Sequence, residues 1–481
     1  MTCLRLSLIG VVTLLFTGCM VGPDYHKPSV SLTPAYKELP PPGDGWKMAQ
    51  PSDQLSRGSW WEMFGDPQLN ALAEQVAVAN QDLKVAEARF RQARALIRFN
   101  RAAEFPTLST GPSLNSLGDS AHRPFSISTS ARTAADFLLP FDLSYELDLW
   151  GRVRRTVAAA RDEAQATAAD FQTAHLSLQA EVAMAYFQLR SADAQQQLLN
   201  DTVQAYSDFL QLTVNRFQGG AAPKSDVAQA QTQLETTRVQ ATDIAVQRAQ
   251  FEHAIAVLIG QPPAAFSLPP APLHPQPPAI PVGLPSQLLE RRPDIAAAER
   301  RVAEANEQIG IAKAAFFPTV TLNTSAGFEG TSIGSLLMGS SLFWAVGSSV
   351  TQTLFDAGRR RATSEAAIAN YDATVATYRQ TTLTAFQQVE DNLAALRVLR
   401  QEAEEQQRAV AAAQEALQLF TNRYKGGVDT YLQVVTAQTF ALTNELNAVN
   451  LLLRQMNASV LLIKALGGGW QVADLPSLTD G

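Results

Sequence analysis

The chain is written twice, and this limits its architecture more than any other property. Phe105-Pro106-Thr107-Leu108 recurs as Phe317-Pro318-Thr319-Val320, and Asn215-Arg216-Phe217-Gln218-Gly219-Gly220 recurs as Asn422-Arg423-Tyr424-Lys425-Gly426-Gly427. Leu147 with Gly151-Arg152 matches Leu354 with Gly358-Arg359, and Leu258-Ile259-Gly260 falls opposite Ala465-Leu466-Gly467. The offset stays between 207 and 212 residues. Solenoid units run only to roughly 50 residues, so this is a duplicated half-molecule and one architecture must serve both halves. The 481 residues therefore read as two similar halves, not as separate globular domains.

The two ends of the chain and its middle lie outside that repeat. Arg5 precedes an apolar run over residues 6–16, and Thr17-Gly18-Cys19 follows. A short apolar core ending in small residues is a secretory signal, too short to span a membrane as a mature helix. Gly18-Cys19 resembles a bacterial lipobox, in which cleavage before Cys19 leaves a diacylated thiol; the plainer alternative is a signal peptide with a bystander cysteine. Met20 in place of Asp after the lipid cysteine points to outer-membrane sorting. Cys3 would leave with the signal, so Cys19 is the one mature cysteine and no disulfide is possible within the protomer. The expected segments are a signal over 1–18, an extended arm over 19–65 and a first repeat over 66–260. A linker follows over 261–285, then a second repeat over 286–467 and a tail over 468–481. The linker holds ten prolines and reads as a semi-rigid strap.

Four long helices are expected: about 152–217, 224–259, 359–424 and 430–466. The first has no Pro or Gly and would reach about 100 Å. Leu442, Leu446, Val449, Leu453, Met456, Val460 and Ile463 step by three and four, as do Leu199, Val203, Tyr206, Leu210, Val214 and Phe217, which makes a coiled-coil seam. Asp66-Pro67 caps a further helix expected to run to about Glu104. Between the helices the period changes to two. Phe137, Leu139, Phe141, Leu143, Tyr145, Leu147 and Leu149 alternate with a set that includes Asp142, Ser144, Glu146 and Asp148. Val320, Leu322 and Phe328 alternate with Thr and Ser, and so do Leu342, Trp344, Val346 and Val350; Thr107 to Leu114 is a weaker strand interrupted by Pro112. Residues 330–355 carry no charge but are too rich in Ser, Thr and Gly for a membrane helix, and their alternation fits membrane strands of about ten residues.

Lipid admits only closed barrels, and the smallest outer-membrane barrels need about eight strands, so four strands cannot close alone. Copies of the chain must pool them. Three copies would supply twelve, with Leu, Phe and Trp facing lipid and Asp, Ser and Thr facing a lumen that continues into a helical tube. The fold class is therefore mainly α with a transmembrane β part. The net charge of −7 argues against nucleic acid, whose phosphates need a clustered basic surface. His26, His122, His175, His253 and His274 are scattered without metal-ligand spacing, and no phosphate or dinucleotide fingerprint supports catalysis.

The motifs add a resemblance. Val21-Gly22-Pro23-Asp24-Tyr25, Trp60-Trp61 with Phe64, Asp66-Pro67 and Leu69 come first, and then the run from Phe141 to Arg152. Glu290 to Asp294, Gly310 to Leu322, Thr353 to Arg359 and Arg423 to Gln438 complete the set. In this order they resemble the TolC-type outer-membrane factors, most closely the NodT-like lipoprotein branch, over essentially all of the mature chain. The resemblance implies a homotrimer with a twelve-stranded β-barrel and a twelve-helix α-barrel. It also implies substrates delivered by an inner-membrane pump, here expected to be of the RND type, through a periplasmic adaptor. The expected function is a passive efflux channel; the alternatives are a type I protein-secretion conduit and a lipid-anchored coiled-coil scaffold. No cofactor is expected beyond lipid on Cys19, and no metal.

Three groups of site residues follow. Gly219, Gly220, Gly426 and Gly427 turn the helical hairpins, and the resemblance makes these tips the adaptor-docking points, with Arg216, Arg423 and Lys425 one turn away. It also places the periplasmic entrance just past the second tip, at Asp429, Leu432 and Thr436 on one helical face. Relatives often carry an acidic residue at Thr436 and a basic one at Thr439, and the threonines here leave Asp429 as the acidic ring. Asp142, Glu146 and Asp148, repeated in each copy, are expected to make the barrel lumen electronegative unless arginines neutralise them.

Overall fold

The computed structural model describes residues 20–31, 33–38, 59–118, 133–273, 277–280 and 285–478. Cys19 lies outside the described residues. In chain order the elements are α1 (Pro67–Ala79), α2 (Gln81–Arg101), β1 (Thr107–Thr110), β2 (Ser113–Gly118), β3 (Thr133–Leu147), α3 (Arg152–Gln218) and α4 (Lys224–Leu258). The second half supplies a short turn of helix (Leu288–Arg291), then α5 (Pro293–Ala314), β4 (Thr319–Gly330), β5 (Leu342–Thr351), α6 (Arg359–Lys425) and α7 (Tyr431–Ala465). The duplication is kept to the residue. α3 and α6 each have 67 residues, and α4 and α7 each have 35.

The first helix is not continuous to Glu104 as expected. Its cap is as read: the Asp66 carboxylate accepts from Gln68 N and Leu69 N, with Pro67 at the first helical position. Asn80 then turns extended (ψ 131°) and separates α1 from α2. Its side-chain oxygen accepts from Leu83 N at 2.9 Å, while its amide donates to Leu258 O at 2.8 Å, at the end of α4. Arg292 does the same work in the second half, donating to Ala465 O at 3.1 Å just before Pro293. An end-of-helix carbonyl is thus satisfied by the lead-in segment of each repeat. Gly260 and Gly467 close α4 and α7 with positive φ, and each lies against that same lead-in segment: an added Cβ would stand 2.4 Å from Ala79 O or 2.0 Å from Arg291 O.

The main core is a belt part-way along the long helices where the halves meet. Trp60, Leu69 and Val76 pack there with Tyr186 and Leu189 of α3, Tyr378 and Leu393 of α6, and Val460 and Ile463 of α7. The coiled-coil seam holds except at its tip end, where Phe217 is exposed and Phe209 is buried instead. Two extended straps cross the helices. The linker is pinned by buried Asp193, which receives Arg190 at 2.8 Å, Arg248 at 2.6 Å and Ala271 N at 3.1 Å. The same arginines reach the carbonyls of Pro269 and Leu268. The N-terminal arm begins with Val21 N on Trp150 O at 3.1 Å. Gly22 then rides on Gly310, and Pro23 O accepts from Asn306 and from the buried guanidinium of Arg155. Farther along, Lys37 N and Glu38 N donate to the Glu390 carboxylate.

The sheet is antiparallel, in the order β1-β3-β4-β5, with β2 also on β3. The weak strand expected over Thr107 to Leu114 is two pieces of one leg, split at Gly111-Pro112, because Pro lacks the N–H that a ladder needs. Replacing Gly467 by Ala is expected to cost about 3 kcal/mol, from the left-handed backbone and the overlap with Arg291 O together. Gly219→Ala, at φ −79° with its nearest neighbour 3.4 Å away, serves as the near-neutral control. Thermal denaturation of the detergent-solubilised protein checks both.

Candidate functional site

The strand register sorts the sheet into two faces. Phe141, Ala326 and Trp344 lie in one row; Leu139, Phe328 and Leu342 in the next; Leu147, Val320 and Val350 in a third. Trp344 is 74% exposed, and Leu342, Val346 and Val350 are exposed with it, so the β5 side of this apolar face is uncovered among the described residues. The opposite face carries Ser109, Asp142, Ser325 and Ala345 in one row and Glu146, Thr321 and Ser349 in another. Apolar-out and polar-in alternation of this kind is what a membrane strand beside a wet lumen requires. The β1–β2 leg and β5 form the two edges, and neither has a second partner strand among the described residues.

The charges on the polar face differ from those expected. Glu146 is on it, but Arg152 takes both its oxygens, at 2.9 and 2.7 Å. Asp148 is not on the strand at all. It follows β3 and caps α3, accepting from Val153 N at 3.0 Å and Arg154 N at 2.9 Å, where a carboxylate meets the positive end of the helix. Asp356 caps α6 in the same way, through Gly358 N and Arg360 N. Asp142 remains as expected, and Asp136 and Glu329 join it on the same face by parity. None of the three is paired with a described cation, and the five strands contain no Lys or Arg. Asp136 was missed because it sits one step ahead of the apolar run, and Glu329 because it ends its strand; counting parity one residue farther would have found both.

At the far end, both hairpins turn alike. Gly220 N donates to Phe217 O and Ala221 N to Arg216 O; Gly427 N donates to Tyr424 O and Val428 N to Arg423 O. Gly220 and Gly427 have φ of +74° and +75°, the left-handed position that glycine fills in this helix ending. The basic residues at the tips do not all face outward for a partner. Arg216 donates to Lys425 O at 3.0 Å and lies 4.7 Å from the Tyr424 ring centre, so it ties the two tips together. Tyr424, Tyr431 and Phe209 form an aromatic cluster beside it. Arg423 is bound to Asp429 at 2.5 and 3.2 Å, and that hydrogen-bonded guanidinium holds the carboxyl below its usual range. Asp429 precedes α7 and does not share a helical face with the other two entrance residues. Leu432 and Thr436 do share one, exposed together with Thr439 and Phe440, and Thr436 donates to Leu432 O at 2.9 Å.

Comparison with known proteins agrees with this arrangement. A profile described as "Outer membrane efflux protein" matches residues 72–261 and 284–468. The chain belongs to the outer membrane efflux protein family. It is 34% identical over 484 residues to the probable efflux pump outer membrane protein SepC of Pseudomonas putida, covering 97% of this chain and 98% of that one. It is 33% identical over 470 residues to outer membrane protein OprJ of Pseudomonas aeruginosa, covering 96% and 95%. The solved outer-membrane channel OprN superposes with a TM-score of 0.86 at 32% identity, over 94% of this chain and all of that one. The open-state MtrE channel of Neisseria gonorrhoeae gives 0.82 at 28%, over 94% and 99%. The protein is thus an outer-membrane efflux channel component, with the α-helical and β parts that its period changes foretold.

The face assignment has a direct check. Trp344→Arg is expected to cost about 2–4 kcal/mol of barrel stability by placing a charge in lipid. Ser349→Arg, on the polar face, should leave the yield of folded protein in the outer membrane near that of the parent. Heat-modifiability on a gel reads both.

Proposed function

We propose that three copies of this lipoprotein form a passive outer-membrane conduit for small molecules, supplied by an RND-type pump through an adaptor docked at the hairpin tips. The observation that carries the reading is the two-faced sheet with both edges open, continuous with helices 67 residues long. Open edges in lipid must be closed by strands from other copies. Three copies of four legs give the twelve strands expected. No side-chain constellation for catalysis is needed, because the pump supplies the energy.

Lipidation of Cys19 is supported by its neighbour. An added Cβ on Gly151 would stand 2.8 Å from Met20 Cγ, so Met20 sits where β3 passes into α3. Adjacent Cα atoms lie about 3.8 Å apart, so a lipid on the residue before Met20 would start beside that passage. Cys19→Ser should retain the fold but lose metabolically incorporated palmitate, a result that mass spectrometry of the mature N-terminus also reads.

Asp136, Asp142 and Glu329, repeated around the lumen, favour cations and cationic cargo at the exit. Relatives named for toluene and antibiotic efflux make solvents and drugs, cationic drugs among them, the cargo class proposed here. In planar bilayers the purified protein should conduct with cations preferred over anions. The triple variant Asp136→Asn, Asp142→Asn, Glu329→Gln should bring the permeability ratio most of the way to unity; an unchanged ratio would overturn the exit-charge reading. Photocrosslinking from Lys425 in cells should capture an adaptor of a proton-driven pump. Capture of an adaptor from an ATP-driven exporter would move the assignment to protein secretion.

A further inference from the structure

The duplication extends into the tips, and there two copies of one arginine behave differently. The offset of 207 residues pairs Arg216 with Arg423, Phe217 with Tyr424, Gln218 with Lys425 and Ala222 with Asp429. Arg216 leaves its own hairpin, seating its guanidinium over the Tyr424 ring and on the Lys425 carbonyl. Arg423 stays in its own hairpin on Asp429. One difference is visible in the pairing: the first tip has Ala222 where the second has Asp429, so Arg216 has no ion pair at that position and meets the Asp226 carboxylate of its own hairpin only through space. The receiving surfaces differ in step. Tyr424, beneath Arg216, is 2% exposed, while its counterpart Phe217 is 42% exposed. Gln218 O, the counterpart of Lys425 O, receives no backbone donor among the described residues. A helix-terminal carbonyl beside an aromatic face is a seat for a cation, on both dipole and ring-quadrupole grounds.

We infer that Arg423 has a second seat, on the Phe217 ring and Gln218 carbonyl of the first hairpin tip of a neighbouring copy, and that Asp429 holds it off that seat. The inference rests on the trimer proposed above. In a ring with two hairpins per copy the tips alternate. Because the hairpins are equal in length the tips end at one level, and where the repeats are evenly spaced Phe217 and Gln218 of the next copy stand toward Arg423 as Tyr424 and Lys425 stand toward Arg216. The junction within each copy is tied, and the junction between copies is withheld. An exposed ion pair is a weak restraint, so the Arg423–Asp429 pair suits a reversible hold.

The test uses full-length protein in outer membranes, with two differently tagged copies co-expressed. One carries Gln218→Cys and the other Asn422→Cys, so a short bismaleimide can bridge only between copies; copies without added cysteine give the background. Asp429→Ala in both copies should raise the bridged yield at least threefold, and Asp429→Asn should act likewise. Asp429→Ala with Arg423→Ala should return it to the parent level. An unchanged yield in the single variants overturns the inference. An equal rise in the double variant also overturns it, because loss of charge alone would then explain the effect. A native gel separates the two layers of the argument. A chain that is not trimeric sinks the ring itself, whereas a trimer indifferent to Asp429 sinks only the second seat of Arg423.

Discussion

Every backbone N–H and C=O placed in hydrocarbon must find a partner, and the rest of this molecule follows from that requirement. Each chain brings four strand legs that pair with one another and whose two outer edges have no partner strand among the described residues. The edges make the protomer an incomplete object. They also explain why an exposed apolar face rich in Trp, Leu and Val is tolerated: it is a surface meant for lipid. A soluble scaffold with such a face would aggregate.

The duplicated halves meet this requirement with one set of devices used twice. Each half ends its return helix in a glycine pressed against its lead-in segment, with Asn80 or Arg292 bonding to the last turn. Each starts its long helix at a left-handed glycine, Gly151 or Gly358, with a carboxylate two or three residues earlier accepting from backbone N–H groups at the helix start. Part-way along the long helices the halves differ in the extended strap they hold. Arg190 holds the linker through Pro269 O, and Arg397, one repeat later, holds the N-terminal arm through Glu38 at 2.6 Å. The straps bind the two hairpins into one body while leaving the tips to be joined by Arg216 and a few aromatic rings.

Charge is distributed by the same logic. The basic residues clustered at the strand-to-helix passage are largely consumed locally: Arg152 by Glu146, Arg154 by Asp148, Arg155 by Glu307, Arg360 by Asp356. Their cost of burial or half-burial is met by an adjacent carboxylate. What is left over on the polar face of the sheet is negative, and its position was only partly visible beforehand. Asp142 was legible from alternation alone. Glu146 and Asp148 were legible as acidic positions with neutralisation by arginine left open, and the structure decides it for both through Arg152 and Arg154, across the turn at Gly151.

The amino-acid sequence by itself determined the period of the elements and the bounds of the four long helices, but not the break at Asn80 or the split of the first strand leg. Repeat offsets, glycine pairs and proline breaks placed the long helices to within a residue or two. The switch from a period of 3.6 to a period of 2 is imposed by side-chain geometry and survives any packing. It also determined the family, because ordered motifs in both halves leave few alternatives. Only the tertiary structure decided which polar residue meets which. Asn80 breaks a helix because the end of α4 is there to be capped. Asp429 lies ahead of its helix, where Arg423 binds it, and Arg216 crosses between hairpins to the Tyr424 ring and the Lys425 carbonyl. Such contacts join residues far apart in the chain, and local pattern carries no information about distances across a fold.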